Sequence, residues 1–147
     1  MLSPRQDKHA GIFFQLVRRK DYCFGFQIRT SLAFYQKTEN ERILLWLKQQ
    51  FKSGYIRRRK TGISDYTIVE PGEVRRILEL LQPYVRLKKE HVGLGLEILR
   101  TLPQADDAAE LVSLCRLVDR FREINYSKKR TITSTVVADF LKSHGYL

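Results

Sequence analysis

The stretch Gly54 to Tyr66, GYIRRRKTGISDY, constrains this chain more tightly than any other. Successive side chains of a strand leave opposite faces, so Tyr55, Arg57 and Arg59 share one face while Ile56 and Arg58 take the other. Lys60-Thr61-Gly62 supplies a turn and a second strand follows from Asp65 to Val69. A two-stranded ribbon with cations and an aromatic ring on one face fits the major groove of B-DNA, where Arg pairs with the acceptor edge of guanine. Charges also protect exposed sheet edges from unwanted pairing, and the stretch alone favours that plainer reading. The rest of the chain shifts the balance.

At 147 residues and 43% hydrophobic composition, the chain can bury the core of one globular domain. Its net charge of +11 suits a partner rich in phosphate or an anionic membrane surface. Location separates these: residues 1–100 hold 20 Lys+Arg against 10 Asp+Glu, whereas 101–147 hold 7 against 6. The positive field thus lies on the part rich in strand signals. With no long apolar run and no signal-peptide core, a soluble, intracellular protein is expected. Cys23 and Cys115 lack CxxC spacing, read as buried small hydrophobes, and are assigned no chemistry.

Residues 1–10 read as a polar lead-in and 11–147 as a single domain. From Gly11 the pattern alternates, with Ile12, Phe14 and Leu16 on one face and Phe13, Gln15, Val17 and Arg19 on the other. A returning strand from Phe24 to Gln36 places Ile28, Thr30, Leu32 and Phe34 together, opposite Gln27, Arg29, Ser31, Ala33 and Tyr35. Thr38-Glu39-Asn40-Glu41 has the form of a capping box, which predicts a helix starting at Thr38 with Gly54 as its left-handed cap. After the Arg-rich hairpin, Pro71-Gly72 opens a second helix. Arg86 to Thr101 and Ala108 to Ile124 are further helices, and Ser134 caps a short last one. The expected class is α+β: a four-stranded antiparallel sheet, helices on one face and a charged face left open.

The outward positions Gln15, Arg19, Gln27, Arg29, Tyr35, Tyr55, Arg57 and Arg59 are residue types that groove readout uses, and Lys128, Lys129 and Arg130 could hold phosphates. The alternative is an ordinary polar sheet face. The charge asymmetry favours nucleic-acid binding.

SLAF-YQKT from Ser31 to Thr38, GYIRRR with SDY from Gly54 to Tyr66, LQPYVRLKK from Leu81 to Lys89, Leu102-Pro103, and N-YSKKRT-TS from Asn125 to Ser134 carry a resemblance. Together they resemble the homodimeric LAGLIDADG homing endonucleases of rRNA-gene introns. The resemblance implies a saddle-shaped sheet in the major groove of duplex DNA, a homodimer formed through the motif helix, and double-strand cleavage assisted by Mg²⁺. By position it implies base contacts from Phe13, Gln15, Val17, Arg19, Gln27, Arg29, Ala33, Tyr35, Tyr55, Arg57, Arg59, Asp65 and Thr67. Gln36 and Lys88 match residues around the scissile phosphate; a cation there would stabilise developing negative charge.

Two departures follow from the same alignment. The family's pocket arginine falls on Asn40. The signature helix, which ends in the metal-binding Asp, falls on MLSPRQDKHA, with His9 at the Asp position and Asp7 the one carboxylate upstream. Magnesium prefers hard oxygen ligands, so Asp7 is the candidate metal ligand. Two readings stay open: a site-specific Mg²⁺-dependent endonuclease, and a catalytically impaired DNA-binding relic or intron RNA-binding splicing cofactor.

Overall fold

The computed structural model describes residues 10–86, 88–124 and 132–147. Nine elements follow in order: β1 (Ala10–Arg18), β2 (Phe26–Lys37), α1 (Arg42–Phe51), β3 (Tyr55–Arg58), β4 (Ile63–Ile68), α2 (Pro71–Leu81), α3 (Lys89–Thr101), α4 (Ala108–Ile124) and α5 (Ser134–Ser143). The four strands form one sheet in the order β1-β2-β4-β3. No described helix is long and apolar enough to cross a membrane. The lead-in, including Asp7 and His9, and the basic loop with Lys128, Lys129 and Arg130 lie outside the described residues.

By contacts the described chain falls into two compact units, residues 10–13 with Thr30–Lys89, and Phe14–Arg29 with Glu90–Leu147. In the first, β4 runs antiparallel between β2 and β3, with Phe34 opposite Tyr66 and Ile56 opposite Tyr66 on the other side. Tyr66 is fully covered, lies 5.9 Å from the ring of Phe34, and donates its hydroxyl hydrogen to the Ser53 carbonyl. Leu44 of α1 and Val74, Ile77 and Leu78 of α2 complete this core. The period-two pattern of β2 and the helical stripe of α2 are both consequences of that burial.

In the second unit Phe14 of β1 meets Phe121 of α4 edge to face at 4.9 Å, and Phe26 of β2 meets Phe140 of α5 at 5.1 Å. Arg122 is buried, with Nε donating to the Phe14 carbonyl at 3.4 Å and Nη1 to the Ile132 carbonyl at 2.6 Å. A guanidinium at that depth needs such acceptors, because an unpaired buried charge is costly.

Several boundaries differ from the sequence expectation for identifiable reasons. Thr38 does not cap a helix: Thr38–Asn40 forms a 3-10 turn, and α1 starts at Arg42 without a side-chain cap. The Thr38 hydroxyl instead bonds Ser64 Oγ at 3.0 Å, and Glu41 receives Arg58 Nε at 2.9 Å. Both capping groups are drawn away by partners on β3 and β4. On α1, Leu44 is buried while its neighbour Ile43 is exposed. β2 starts at Phe26 rather than Phe24, β3 stops at Arg58, β4 spans Ile63–Ile68 rather than Asp65 to Val69, and α3 begins at Lys89 rather than Arg86. The last helix is capped by Thr133, whose hydroxyl accepts from the Val136 N–H at 3.5 Å. Cys23 is exposed, not buried; Cys115 is buried, and desolvation pushes its thiol up to about 12.

The left-handed residue closing α1 is Lys52, at φ 59°, not Gly54. Gly54 is needed for a second reason: at φ +88°, a Cβ there would sit 2.5 Å from the Thr67 carbonyl oxygen and 2.8 Å from the Tyr66 ring. We therefore expect Gly54→Ala to destabilise by about 2–4 kcal/mol, combining a left-handed penalty with overpacking against backbone, measured by urea unfolding. Thr30 is the opposite case, a core-facing residue of β2 whose buried hydroxyl has no hydrogen-bond partner. Thr30→Val removes that desolvated group at nearly constant shape and should raise stability by up to about 1 kcal/mol in the same assay.

Candidate nucleic-acid interface

Strand pairing assembles the expected recognition residues of the first unit into rows. Tyr35 stands opposite Asp65, and Asp65 opposite Arg57. One step along, Ala33 stands opposite Thr67, and Thr67 opposite Tyr55. Directly opposed residues share a face, so six of the sequence-derived candidates lie on one face of β2, β4 and β3.

At the centre of these rows Asp65 has 0% of its surface exposed. Its Oδ1 accepts from the Thr67 hydroxyl at 2.7 Å, and its Oδ2 accepts from Arg57 Nε at 3.3 Å and Arg59 Nε at 2.9 Å. Burial alone would push this carboxyl upward, but the hydrogen bonds from Thr67 and Arg59, with the charge of Arg57, outweigh it and hold the group below the usual carboxylate range. The carboxylate therefore fixes two guanidiniums through their Nε edges, while both arginines keep much of their surface exposed. Asp65, Thr67 and Ala33 are all covered, so Asp65 acts on the arginines rather than presenting its own oxygens to a base. Arg59 also lies over the Tyr35 ring, 5.8 Å from its centroid.

Gln36 pairs with Ser64, one residue out of phase with this face. It nevertheless lines a depression with Tyr35, Asn40, Arg59 and Ile63. Lys88 donates from Nζ to the Ala10 carbonyl at 3.1 Å, which sets it beside the residue that follows His9 in sequence. Phe13, in the same unit, is exposed.

In the second unit Gln15 and Arg29 are exposed and Val17 and Gln27 are half-buried, as the alternation of β1 and β2 requires. Arg19 is bound to Asp21 through both Nε and Nη2, at 3.1 and 3.2 Å, and donates from Nη1 to Gln27 Oε1 at 3.2 Å. The Asp21 carboxyl is correspondingly held low, the hydrogen bond from Arg19 being the leading cause.

One cluster was not foreseen. Arg58, on the opposite face from Arg57, makes a two-pronged contact with Glu41, which also receives Ser64 Oγ at 3.3 Å. The alternation of the three arginines placed Arg58 on that face; its partner 17 residues away had no local signal.

Among the described residues no group of three or more His, Cys, Asp or Glu converges to hold a metal ion. The buried carboxylate nearest the candidate site, Asp65, has both oxygens committed to Thr67, Arg57 and Arg59. Asp65 therefore has no oxygen free to bind an ion, and Asp7, the carboxylate that the resemblance offers to the metal, lies outside the described residues.

No protein-family model matches the chain. It is 34% identical over 141 residues to the DNA endonuclease I-CvuI of Chlorella vulgaris, covering 96% of this chain and 88% of that protein. It is 31% identical over 138 residues to the DNA endonuclease I-CreI of Chlamydomonas reinhardtii, covering 93% and 84%. The solved structure of the homing endonuclease I-CvuI with the I-CreI target, in the presence of Mg, matches with a TM-score of 0.88 at 33% identity over 96% of this chain and 90% of that one. The archaeal intron-encoded homing endonuclease I-Vdi141I, complexed with DNA, shares the fold with a TM-score of 0.81 at 16% identity, over 93% and 89% of the two chains.

The Asp65 cluster predicts a pH dependence whose sign is fixed. Because the folded carboxyl titrates below its ordinary value of 3.8, its contribution is present above that value and is lost as pH falls through the lower, folded one. Asp65→Asn should lower stability at neutral pH by about 1–3 kcal/mol and flatten the acid limb of the stability curve. Urea titrations from neutral to acid pH would read both.

Proposed function

Because this chain belongs to the LAGLIDADG homing endonucleases, we propose that it recognises a specific duplex DNA site by laying the exposed face of its sheet in the major groove. The observation that carries this reading is the row Tyr35, Asp65, Arg57, in which a buried carboxylate holds guanidiniums ready on an exposed strand face. An arginine fixed through Nε retains the two terminal nitrogens, the edge that matches guanine O6 and N7. Fixing it beforehand removes side-chain entropy that binding would otherwise cost.

Arg57 and Arg29 suit guanine, Gln15 and Gln27 suit adenine, and Tyr55, Val17 and Phe13 offer apolar surface to the thymine methyl. Arg19 is also oriented by carboxylate and amide partners, but through Nε and both terminal nitrogens, to Asp21 and Gln27. The basic run Lys128, Lys129 and Arg130 supplies phosphate contacts. A homodimer, each copy reading half of the site, is the assembly we infer.

Phosphodiester cleavage is the activity of the family. In this chain we assign the role of metal ligand to Asp7, the one carboxylate upstream of β1, with Mg²⁺ as the ion, and Lys88 and Gln36 as the groups that face the phosphate. The experiment is a selection of bound duplexes from a random pool, run with Mg²⁺, with the recovered DNA resolved on a denaturing gel. A defined sequence cut at fixed positions is expected; a defined sequence left intact would remove the nuclease assignment and leave the DNA-binding one; no enrichment would overturn both. Arg57→Gln should weaken binding to the selected duplex by about 1–3 kcal/mol and relax preference at one position per half-site, leaving random duplex little affected.

A further inference from the structure

Arg122 is a buried cation that lies outside the recognition face. It projects from α4, with Nε donating to the Phe14 carbonyl of β1 at 3.4 Å and Nη1 to the Ile132 carbonyl at 2.6 Å. One turn earlier on α4, Asp119 accepts the Ser134 N–H at 3.1 and 3.3 Å. Two α4 side chains thus hold the carbonyl before Thr133 and the N–H after it, and Thr133 itself caps α5.

α4 ends at Ile124, and Arg122 holds Ile132, so residues 125–131 leave α4 through the chain and are returned to it by hydrogen bonds. Those seven residues, Asn-Tyr-Ser-Lys-Lys-Arg-Thr, include three cations and no carboxylate. Packing alone does not call for a guanidinium at the base of such a run. Desolvating one is expensive, and an apolar side chain of similar volume is often as stable between packed elements. What a guanidinium adds is a rigid fork with five donors, able to hold carbonyls of two elements together. On one side that is β1, immediately before the exposed Gln15; on the other it is the end of the basic run.

We propose that Arg122 is a positioning residue for duplex DNA binding. By tying Ile132 to the backbone of β1 it fixes where the run Lys128, Lys129, Arg130 returns, and so keeps those cations within reach of backbone phosphates when β1 lies in the groove. Arg122 itself touches no DNA. The proposal rests on the reading above in which that run supplies phosphate contacts. A run released at one end would still attract phosphate but would have to be ordered on binding, at a cost in affinity.

The test measures affinity for a random-sequence duplex against salt concentration, in the full chain. It compares the wild type, Arg122→Met, the triple variant Lys128→Ala, Lys129→Ala, Arg130→Ala, and all four substitutions together. Arg122→Met keeps the apolar stem and leaves no buried charge, and urea unfolding checks that each variant is folded. The triple variant is expected to make the salt slope shallower by about 2–3, and Arg122→Met by about 1–2. Added to the triple variant, Arg122→Met should then change neither slope nor affinity. Trypsin, which cuts after Lys and Arg, reads the same tie without DNA: cleavage after Lys128, Lys129 or Arg130 should be several-fold faster in Arg122→Met than in the wild type. A slope that Arg122→Met leaves unchanged, a loss equal with and without the three cations, or unchanged cleavage would overturn the proposal and leave the phosphate role of the run standing. A slope that the triple variant leaves unchanged would remove that role, and the proposal with it. Should Arg122→Met not fold, Arg122→Lys carries the same comparisons, since it keeps the charge but cannot fork to both carbonyls.

Discussion

The covered carboxylate of Asp65 is the constraint on which the Arg-rich hairpin depends. A carboxylate removed from water is tolerated only when its oxygens are occupied by donors, and here Thr67 takes one and two guanidiniums take the other. Its neighbour in sequence, Tyr66, is covered on the opposite face, against Phe34 and with its hydroxyl on the Ser53 carbonyl. β4 is therefore specified from both sides. A slip of one residue would turn Tyr66 toward the polar face and Asp65 into the aromatic core, so the register that aligns Tyr35, Asp65 and Arg57 is strongly fixed. The close approach at Gly54 adds a steric lock on the same strand, since the Thr67 carbonyl leaves no room for a Cβ there.

The same constraint orders the arginines of a charged strand. Free arginine side chains sample many rotamers, and a surface of them is attractive to phosphate but indifferent to sequence. Arg57 and Arg59 lose that freedom during folding because Asp65 cannot be covered without them. The energy that stabilises the hairpin and the order of its two outward arginines thus come from one cluster. Arg19, tied to Asp21 and Gln27, repeats the principle in more solvent, where each bond contributes less.

What the sequence made legible was periodicity, which depends only on local geometry. The alternation of β1, the split of Arg57 and Arg59 from Arg58, and the span of α4 could all be read because each follows from burial of one face. What stayed hidden were partners distant in sequence. Thr38 and Glu41 have the spacing of a capping box, yet Ser64 and Arg58 take their oxygens, and α1 starts four residues later than the motif suggests. Asp65 looks like an exposed member of a polar face; only the convergence of β2, β3 and β4 covers it. Cys23 looks like a core residue by type but sits in the turn between β1 and β2, where nothing apolar requires it. The resemblance quoted from the motifs supplied the fold, and with it the expectation of a metal-binding Asp, which falls on the lead-in outside the described residues.

The pairings also correct what the formal charge implies about DNA binding. The sequence presents three consecutive arginines, an apparent +3 at the hairpin. Arg58 is neutralised by Glu41 on the far face, and Asp65 offsets one of the two remaining charges. The face offered to a groove by this cluster carries about +1, not +3, so electrostatic attraction at the hairpin is weaker than composition suggests. A weaker nonspecific term is useful to a protein that must find one site, because each counterion released at random sequence raises the affinity of every competing site equally. Placing carboxylates behind and beneath the arginines trades charge for geometry. The net +11 of the chain must then act mainly through cations outside this cluster, and what the hairpin offers is a fixed direction for its guanidiniums rather than charge.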